Sequence, residues 1–455
     1  YDLQSDINSR FNFAPRLAFA WSPDGGRGRQ QQTVIRGGFG IFYDTLRENL
    51  LLQAERFNGV NQQQFLVTGA SPGGEEILRL FPTIPSVETL LAFSIPQIVR
   101  RLAPDLLTPY TLQTALSVER QLPWRTTVSI NLVNARTLHV LRSRNINAPL
   151  AGTLIRPFPG QGNIFQYESS GRFNQQQLIV NVNNRLSQNL SLSGNYVFNR
   201  ARSDTDGPNT FPANQYDFSG EYGRSAQDIR HRFTLFGTIS GLPWDIRLNP
   251  IVIANSGRPF NITIGRDLNG DTLFTERPAL AGDLTDPGVR VTPYGNFDVT
   301  PSAGQEIIGR NYATGPSFFV VNLRASKSFG FGAALRPSGG GAGGDAAGGP
   351  AGGGGGGRVG RGGGGGRGGR SGGGRRGGGG GGAGGDGSER YRYSLNFSVN
   401  VQNLFNNTNV GQPIGNLSSP LFGQSIGTAG GFGRGGGGGQ AAGNRRVELQ
   451  LRFSF

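Results

Sequence analysis

The chain has 455 residues, no Cys, no Met, a charged fraction of 16% and a formal charge of +15. Without Cys there is no disulfide framework, thiolate metal site or cysteine nucleophile, and His139 and His231, the two histidines, leave little for zinc binding or histidine catalysis. The positive charge is nearly all arginine, Lys327 being the lone lysine, so it reads as arginine usage rather than as a nucleic-acid surface. No run of about 20 apolar residues occurs, so no transmembrane helix is expected. No signal peptide opens the sequence at Tyr1, and the missing initiator suggests a processed or truncated product.

In chain order, "PRLAFAW", "TVIRGGFGIFY", "YTLQTALSVER", "TTVSINLV", "NQQQLIVNVNNRL" and "NLSLSGNYVF" read as strands. "DIRHRFTLFGTIS" sets Ile229, Phe233, Leu235 and Ile239 against Arg230, Arg232, Thr234 and Ser240, the two-residue period of a β-strand. "DIRLNPIVIANSGRPFNIT" is a further candidate, although Pro250 should interrupt a ladder. "SFFVVNLRASKSF" opposes Phe319, Val321, Leu323 and Ala325 to Asn322, Arg324, Ser326 and Ser328. In "ERYRYSLNFSVNVQNLF", Tyr391, Tyr393, Leu395, Phe397, Val399 and Val401 oppose Arg392, Ser394, Asn396, Ser398, Asn400 and Gln402. "RRVELQLRFSF" ends the chain with Val447, Leu449, Leu451, Phe453 and Phe455 on one face. About eleven strands of roughly ten residues result, the length a tilted strand needs to cross a bilayer.

The connections alternate in size. "ERQLPWRT", "RLSQNL" and "SGLPWD" are short, whereas 44–109, 143–171, 203–227, 265–315 and 406–444 are long. Short periplasmic turns and long extracellular loops are the signature of an antiparallel transmembrane β-barrel. One strand face is Arg, Asn, Gln, Ser and Thr, costly as a dry core but suited to a wet or filled lumen. The other is apolar and suits lipid. Tyr43, Tyr110, Tyr196, Tyr391, Tyr393, Phe453 and Phe455 fall near strand ends, where interfacial aromatic belts lie. The chain divides into barrel strands and loops over 1–337, a Gly/Arg-rich insertion over 338–388 expected to be disordered, and a last hairpin over 389–455. By strand count the insertion falls on the periplasmic side, against the short-turn rule.

Candidate sites are few. "GRDLNGDTLFTERP" places Asp267, Asn269 and Asp271 at alternate positions, as a calcium loop begins, with Glu276 as a further oxygen donor. Thr272 and Pro278 stand where the EF-hand pattern has Gly and Glu, and an Asx-rich surface turn explains the same residues. Arg36, Arg230, Arg232, Arg324 and Arg392 face inward by parity and are candidates for contact with a ligand or a plug, or simply line a hydrated wall. His231 falls on the lipid-facing parity at headgroup level, and His139 near a strand end in solvent. No HExxH, GxSxG or Walker sequence occurs, so no catalytic residue is assigned, no cofactor beyond a loop calcium is expected, and the chain reads as a non-enzyme.

"NFAPRLAFAWSP", "TVIRGGFGIFYDTL", "DIRHRFTLFGTISGLPW", "NSGRPFNI", "DLNGD…ERP", "VQNLFNNTN" and "RRVELQLRFSF" resemble, in the same order, the barrel of TonB-dependent outer-membrane receptors. The Oar-like subgroup, common in acidobacteria and myxobacteria and often preceded by a carboxypeptidase-regulatory-like domain, is the most similar. The resemblance implies a twenty-two-stranded barrel around an N-terminal plug, on which the TonB complex pulls to admit a bound ligand. It also implies that Leu449, Leu451, Phe453 and Phe455 resemble the signal read by the barrel-assembly machinery. Plug, TonB box and about half the strands are missing, so the expectation is the C-terminal half of a larger barrel.

The function expected on these grounds is energised uptake of a scarce nutrient such as a metal chelate, oligosaccharide or peptide, with outer-membrane lipid and the TonB complex as partners. A passive or adhesive barrel is the alternative. An RNA-binding role would need the 338–388 arginines to stack on bases, and no Phe or Tyr is interleaved from Arg358 to Arg376, so no nucleic-acid partner is expected. A barrel hydrolase would have to be built from two histidines.

Overall fold

The computed structural model describes residues 12–24, 32–45, 48–62, 65, 67, 73–93, 98–302, 304–335, 390–429 and 443–455. The insertion at 338–388 and the second glycine run at 430–440 lie outside these residues. Two compact units are formed, 1–327 with 398–450 and 328–397 with 451–455.

In chain order the elements are β1 (Arg16–Trp21), β2 (Thr33–Tyr43), α1 (Glu48–Arg56), α2 (Gly74–Arg79), α3 (Val87–Phe93), β3 (Val99–Leu102), β4 (Tyr110–Leu122), β5 (Thr126–Asn145), β6 (Ile164–Arg185) and β7 (Leu190–Ser203). They continue with β8 (Gly223–Arg224), β9 (His231–Ile239), β10 (Arg247–Asn255), β11 (Pro259–Phe260), β12 (Ala279–Leu280), β13 (Val289–Thr292), β14 (Gly295–Asp298), β15 (Ala313–Thr314), β16 (Phe318–Leu335), β17 (Arg390–Gln402) and β18 (Arg446–Ser454). The long strands run in the order β1-β2-β4-β5-β6-β7-β9-β10-β16-β17-β18, and β16, β17 and β18 each have residues in both units. This is the eleven-strand meander expected, antiparallel at each step from β1 to β16.

Registers show why alternation predicts the faces. Leu116 pairs with Leu132, Leu132 with Leu178 and Leu178 with Phe198, so four strands place apolar side chains in one row. Leu116, Leu132 and Phe198 stay 45%, 51% and 36% exposed. Glu119 pairs with Ser129, Ser129 with Asn181, Asn181 with Asn195 and Asn195 with Thr234, a polar row on the opposite face.

Two short links share a conformation because they share a sequence. In "LPWR" Trp124 and Arg125 have φ of 59° and 52°, and in "LPWD" Trp244 and Asp245 have 62° and 55°. Successive left-handed residues let a tight connection follow the strand twist. Pro250 does not break its strand. The β10 ladder to β16 is continuous through Pro250 and Leu323, whereas the ladder to β9 passes from Leu248 directly to Ile251. Gly237 lies there, and a Cβ on it would meet Pro250 Cγ at 2.8 Å, so the ring occupies the space that a glycine leaves.

One long connection is folded, and two expectations need correction. The connection 44–109 carries α1–α3, with Leu50 and Ala54 of α1 packed on Leu106, Leu141 and Tyr167. The connection 143–171 shrinks to 146–163, because β5 and β6 run on as strands and β3 adds to β6 in parallel. β9 begins at His231, so Ile229, 2% exposed, is not an outward strand residue and Arg230 precedes the strand. The apolar clusters accordingly gather under the long connections, the largest being Phe260, Ile262, Phe297, Ile308, Ala313 and Leu417.

In the second unit the Phe331, Tyr393 and Phe453 rings stack with centroids 5.9, 6.0 and 6.2 Å apart, and Phe453 stacks on Phe455 at 6.0 Å.

Candidate functional site

The polar strand face is hydrogen-bonded to itself. Asn181 Nδ2 donates to Ser129 Oγ at 3.0 Å and Asn195 Nδ2 to Asn181 Oδ1 at 2.6 Å, and Arg36 Nη1 meets Glu119 Oε2 at 2.9 Å. Neighbouring side chains thus satisfy one another while remaining partly exposed, as a hydrated wall requires.

The five candidate arginines are not gathered into one site. Arg36 is held by Glu119. Arg230 Nη2 is held by Asp228 Oδ2 at 2.9 Å and its guanidinium lies 5.8 Å from the Phe198 ring. Arg232 is half-buried on β9 and its Nε has no hydrogen-bond partner among the described residues. Arg324 is exposed on β16, and Arg392 is exposed with its guanidinium 5.4 Å from the Tyr393 ring. His231 is exposed as expected, its Nδ1 2.8 Å from Tyr196 Oη. His139 is not simply solvated. It sits at a register shift of β5 with φ of 59°, half-buried and edge-on to Tyr110 at 5.2 Å.

Sequence reading missed the network that folds the long connections. Glu221, 2% exposed, accepts Arg277 Nη2 at 2.5 Å and Arg310 Nη1 at 3.1 Å. Arg310 Nη2 also reaches Asp206 Oδ2 at 2.9 Å, where Asn311 Nδ2 donates at 2.8 Å. Burial acts to raise the Asp206 carboxyl, but the Ala226 N–H, Arg310 and Asn311 together hold it below the usual range. Close by, Arg142, 2% exposed, pairs with Asp204 at 2.9 Å and lies 4.5 Å from the Phe218 ring. Residues 203–228 and 277–311 are therefore joined through desolvated charges, a geometry that tolerates little substitution.

Beside this network the calcium-loop residues come together. Asp267, Asp271 and Glu276 each place a carboxylate oxygen within 4.8 Å of the others. The turn is built by its own backbone: Asp267 Oδ1 accepts the Gly270 N–H at 2.7 Å and Asn269 Oδ1 the Asp271 N–H at 2.9 Å. Thr272, standing where the EF-hand pattern has Gly, adopts φ of 68°, a conformation a β-branched residue rarely takes. Asp271 is fully buried, with Oδ2 accepting Gln215 Nε2 at 2.9 Å. Burial pushes the Asp271 and Glu276 carboxyls up, and the neighbouring carboxylates add to the shift against backbone N–H groups that lower it. Like charges about 4 Å apart repel by about 4 kcal/mol at an effective dielectric of about 20.

The exposed apolar row, the polar row behind it and the antiparallel meander agree with a comparison of the sequence against family models. A model described as an outer membrane beta barrel domain matches residues 6–336. The chain belongs to this family. Its fold is an all-β, antiparallel transmembrane β-barrel of the outer membrane, and the exposed apolar row is its lipid-facing side. No curated protein matches the sequence. Solved barrels resemble it at low identity. The outer membrane transporter YddB of Escherichia coli is 10% identical with a TM-score of 0.48, over 97% of this chain and 40% of that one. The FrpB iron transporter of Neisseria meningitidis (F3-3 variant) is 9% identical with a TM-score of 0.39, over 97% and 39%. The siderophore receptor PiuA of Acinetobacter baumannii is 7% identical with a TM-score of 0.40, over 96% and 35%. The barrel chain thus spans at most 40% of the length of these three structures.

Proposed function

We propose that the chain is barrel wall and outer loops of a TonB-dependent receptor of the Oar-like type, taking up a scarce nutrient such as a metal chelate, an oligosaccharide or a peptide. The observation that carries this reading is the self-satisfied polar row from Arg36 and Glu119 through Ser129 and Asn181 to Asn195. A surface of that kind suits a water- or protein-filled interior. In this reading a plug occupies the interior and the TonB complex acts through it. Arg36, Arg230, Arg232, Arg324 and Arg392 face the plug or an anionic ligand, and the assembly machinery reads Leu449, Leu451, Phe453 and Phe455.

The test is uptake by cells that make the full-length protein. Accumulation of labelled ferric chelates, oligosaccharides and peptides is compared among wild-type cells, a deletion strain and a strain without TonB. Loss of the same nutrient in both mutants supports the proposal. Accumulation that survives without TonB, together with ligand-independent conductance in planar bilayers, would establish a passive barrel instead.

A further inference from the structure

We propose that Asp267, Asp271 and Glu276, with Asn269 as a fourth oxygen donor, bind one calcium ion that fastens residues 265–278 to residues 213–215. This holds whether transport through the barrel is energised or passive. The carboxylate oxygens lie within 4.8 Å of one another, so one point lies within about 2.8 Å of all three, a small adjustment from the Ca–O distance of about 2.3–2.6 Å, whereas Mg²⁺ demands about 2.0–2.1 Å in near-ideal octahedral geometry. An all-oxygen donor set likewise suits calcium better than zinc, whose sites are built mainly on Cys and His with carboxylates as additional ligands.

Glu276 shows that the cluster is incomplete without a cation. The residue is 7% exposed, Oε1 accepts the Leu268 N–H at 2.9 Å, and the buried Oε2 has no hydrogen-bond partner among the described residues. A buried carboxylate oxygen is not left unpaired without cost. Among the described residues no guanidinium neutralises the three acids. Arg277, next in the chain, gives Nη2 to Glu221 and to the Gly220 carbonyl. Arg156 gives Nη2 to the Gly270 carbonyl and Nη1 to the Asn147 carbonyl and Asn163. Carboxylate oxygens that accept N–H groups keep a second lone pair for a metal.

The attachment to the neighbouring loop runs through the same residues. Asp271 Oδ2 accepts Gln215 Nε2, and Asn269 Nδ2 donates to the Ala213 carbonyl at 3.3 Å. A cation that orders Asp271 and Asn269 therefore orders the 213–215 segment with them.

The experiment is equilibrium dialysis of the full-length protein in detergent with radioactive calcium, after chelator treatment, with SDS heat-modifiability as a check that each variant is folded. Expected are one calcium per chain, resistance to a tenfold excess of Mg²⁺, and affinity at least ten-fold weaker in Glu276→Gln. Asn269→Ala, a milder change, should weaken binding measurably should Glu276→Gln not fold. Absence of calcium binding by the folded wild type would overturn the proposal. So would calcium binding unchanged in a folded Glu276→Gln, or in Asn269→Ala where Glu276→Gln does not fold, because the ion would then sit elsewhere, as on bound anionic lipid.

Discussion

Arg277 and Glu221 meet at 2.5 Å with side-chain exposures of 1% and 3%. Arg277 Nη1 has no partner among the described residues, so the pair depends on one charge-assisted contact and on the second cation, Arg310. Replacing Glu221 by Gln leaves two guanidinium groups facing a neutral amide. Breaking a buried pair costs about 3–5 kcal/mol. Hydrogen exchange should accelerate across 203–228 and 304–311 in Glu221→Gln, while the strand amides of β4–β7 keep their protection.

Acid should loosen the same region through Asp206. Its carboxyl sits below the ordinary range in the folded protein, so the stabilisation is complete above the unfolded pKa, about 4, and is lost as pH falls through the lower folded value. Exchange at Ala226 and Asn311, corrected for intrinsic pH dependence, should therefore rise below about pH 4 in the wild type. In Asp206→Asn that step should be absent and the protection lower at neutral pH.

The two faces of β5 make opposite predictions for adjacent residues. Leu132 belongs to the exposed apolar row and Val133 to the opposite face. An arginine on a barrel's lipid face costs about 2–4 kcal/mol near the bilayer midplane, so Leu132→Arg should lower stability by that order in urea-dependent folding into vesicles. Val133→Arg should cost markedly less. Equal costs at the two positions would contradict the facing.

Gly237 and Pro250 make a matched pair. Gly237→Val should lower folding yield by the equivalent of about 1–3 kcal/mol, the usual penalty for overpacking. Adding Pro250→Ala removes the ring atom that the new Cβ would meet at 2.8 Å and should recover part of that loss.

Phe455 is 95% exposed, with its ring stacked on Phe453. Phe455→Ala should change the stability of the folded barrel by no more than about 0.5 kcal/mol. Reconstituted assembly machinery should insert it more slowly, if that machinery reads the terminal aromatic.

The strands were legible because a period of two survives any loop length, and Leu116, Leu132, Leu178 and Phe198 fall in one row from alternation alone. The folded connections were not, since their bonds join distant residues: Arg310 and Asp206 are 104 positions apart, and nothing local marks them as partners. Spacing exposed Asp267, Asn269 and Asp271, but not Thr272 taking a glycine's conformation, nor the burial that leaves Glu276 Oε2 unpaired. Parity assigned the five arginines to one face, but Arg230 precedes β9 and its guanidinium lies 5.8 Å from the Phe198 ring. It was silent on Asp228 and Glu119, which hold two of them.

β5 and β6 are 20 and 22 residues long, and a bilayer crossing uses about 9–11. The remainder stands clear of the lipid as a stiff mast, and on it Leu141 and Tyr167 anchor helix α1 while Arg142 and Arg144 grip Asp204 and Glu168. At the tip, exposed residues such as Leu154 and Ile155 can change without disturbing the staves beneath. Change at the mast itself would topple everything it carries.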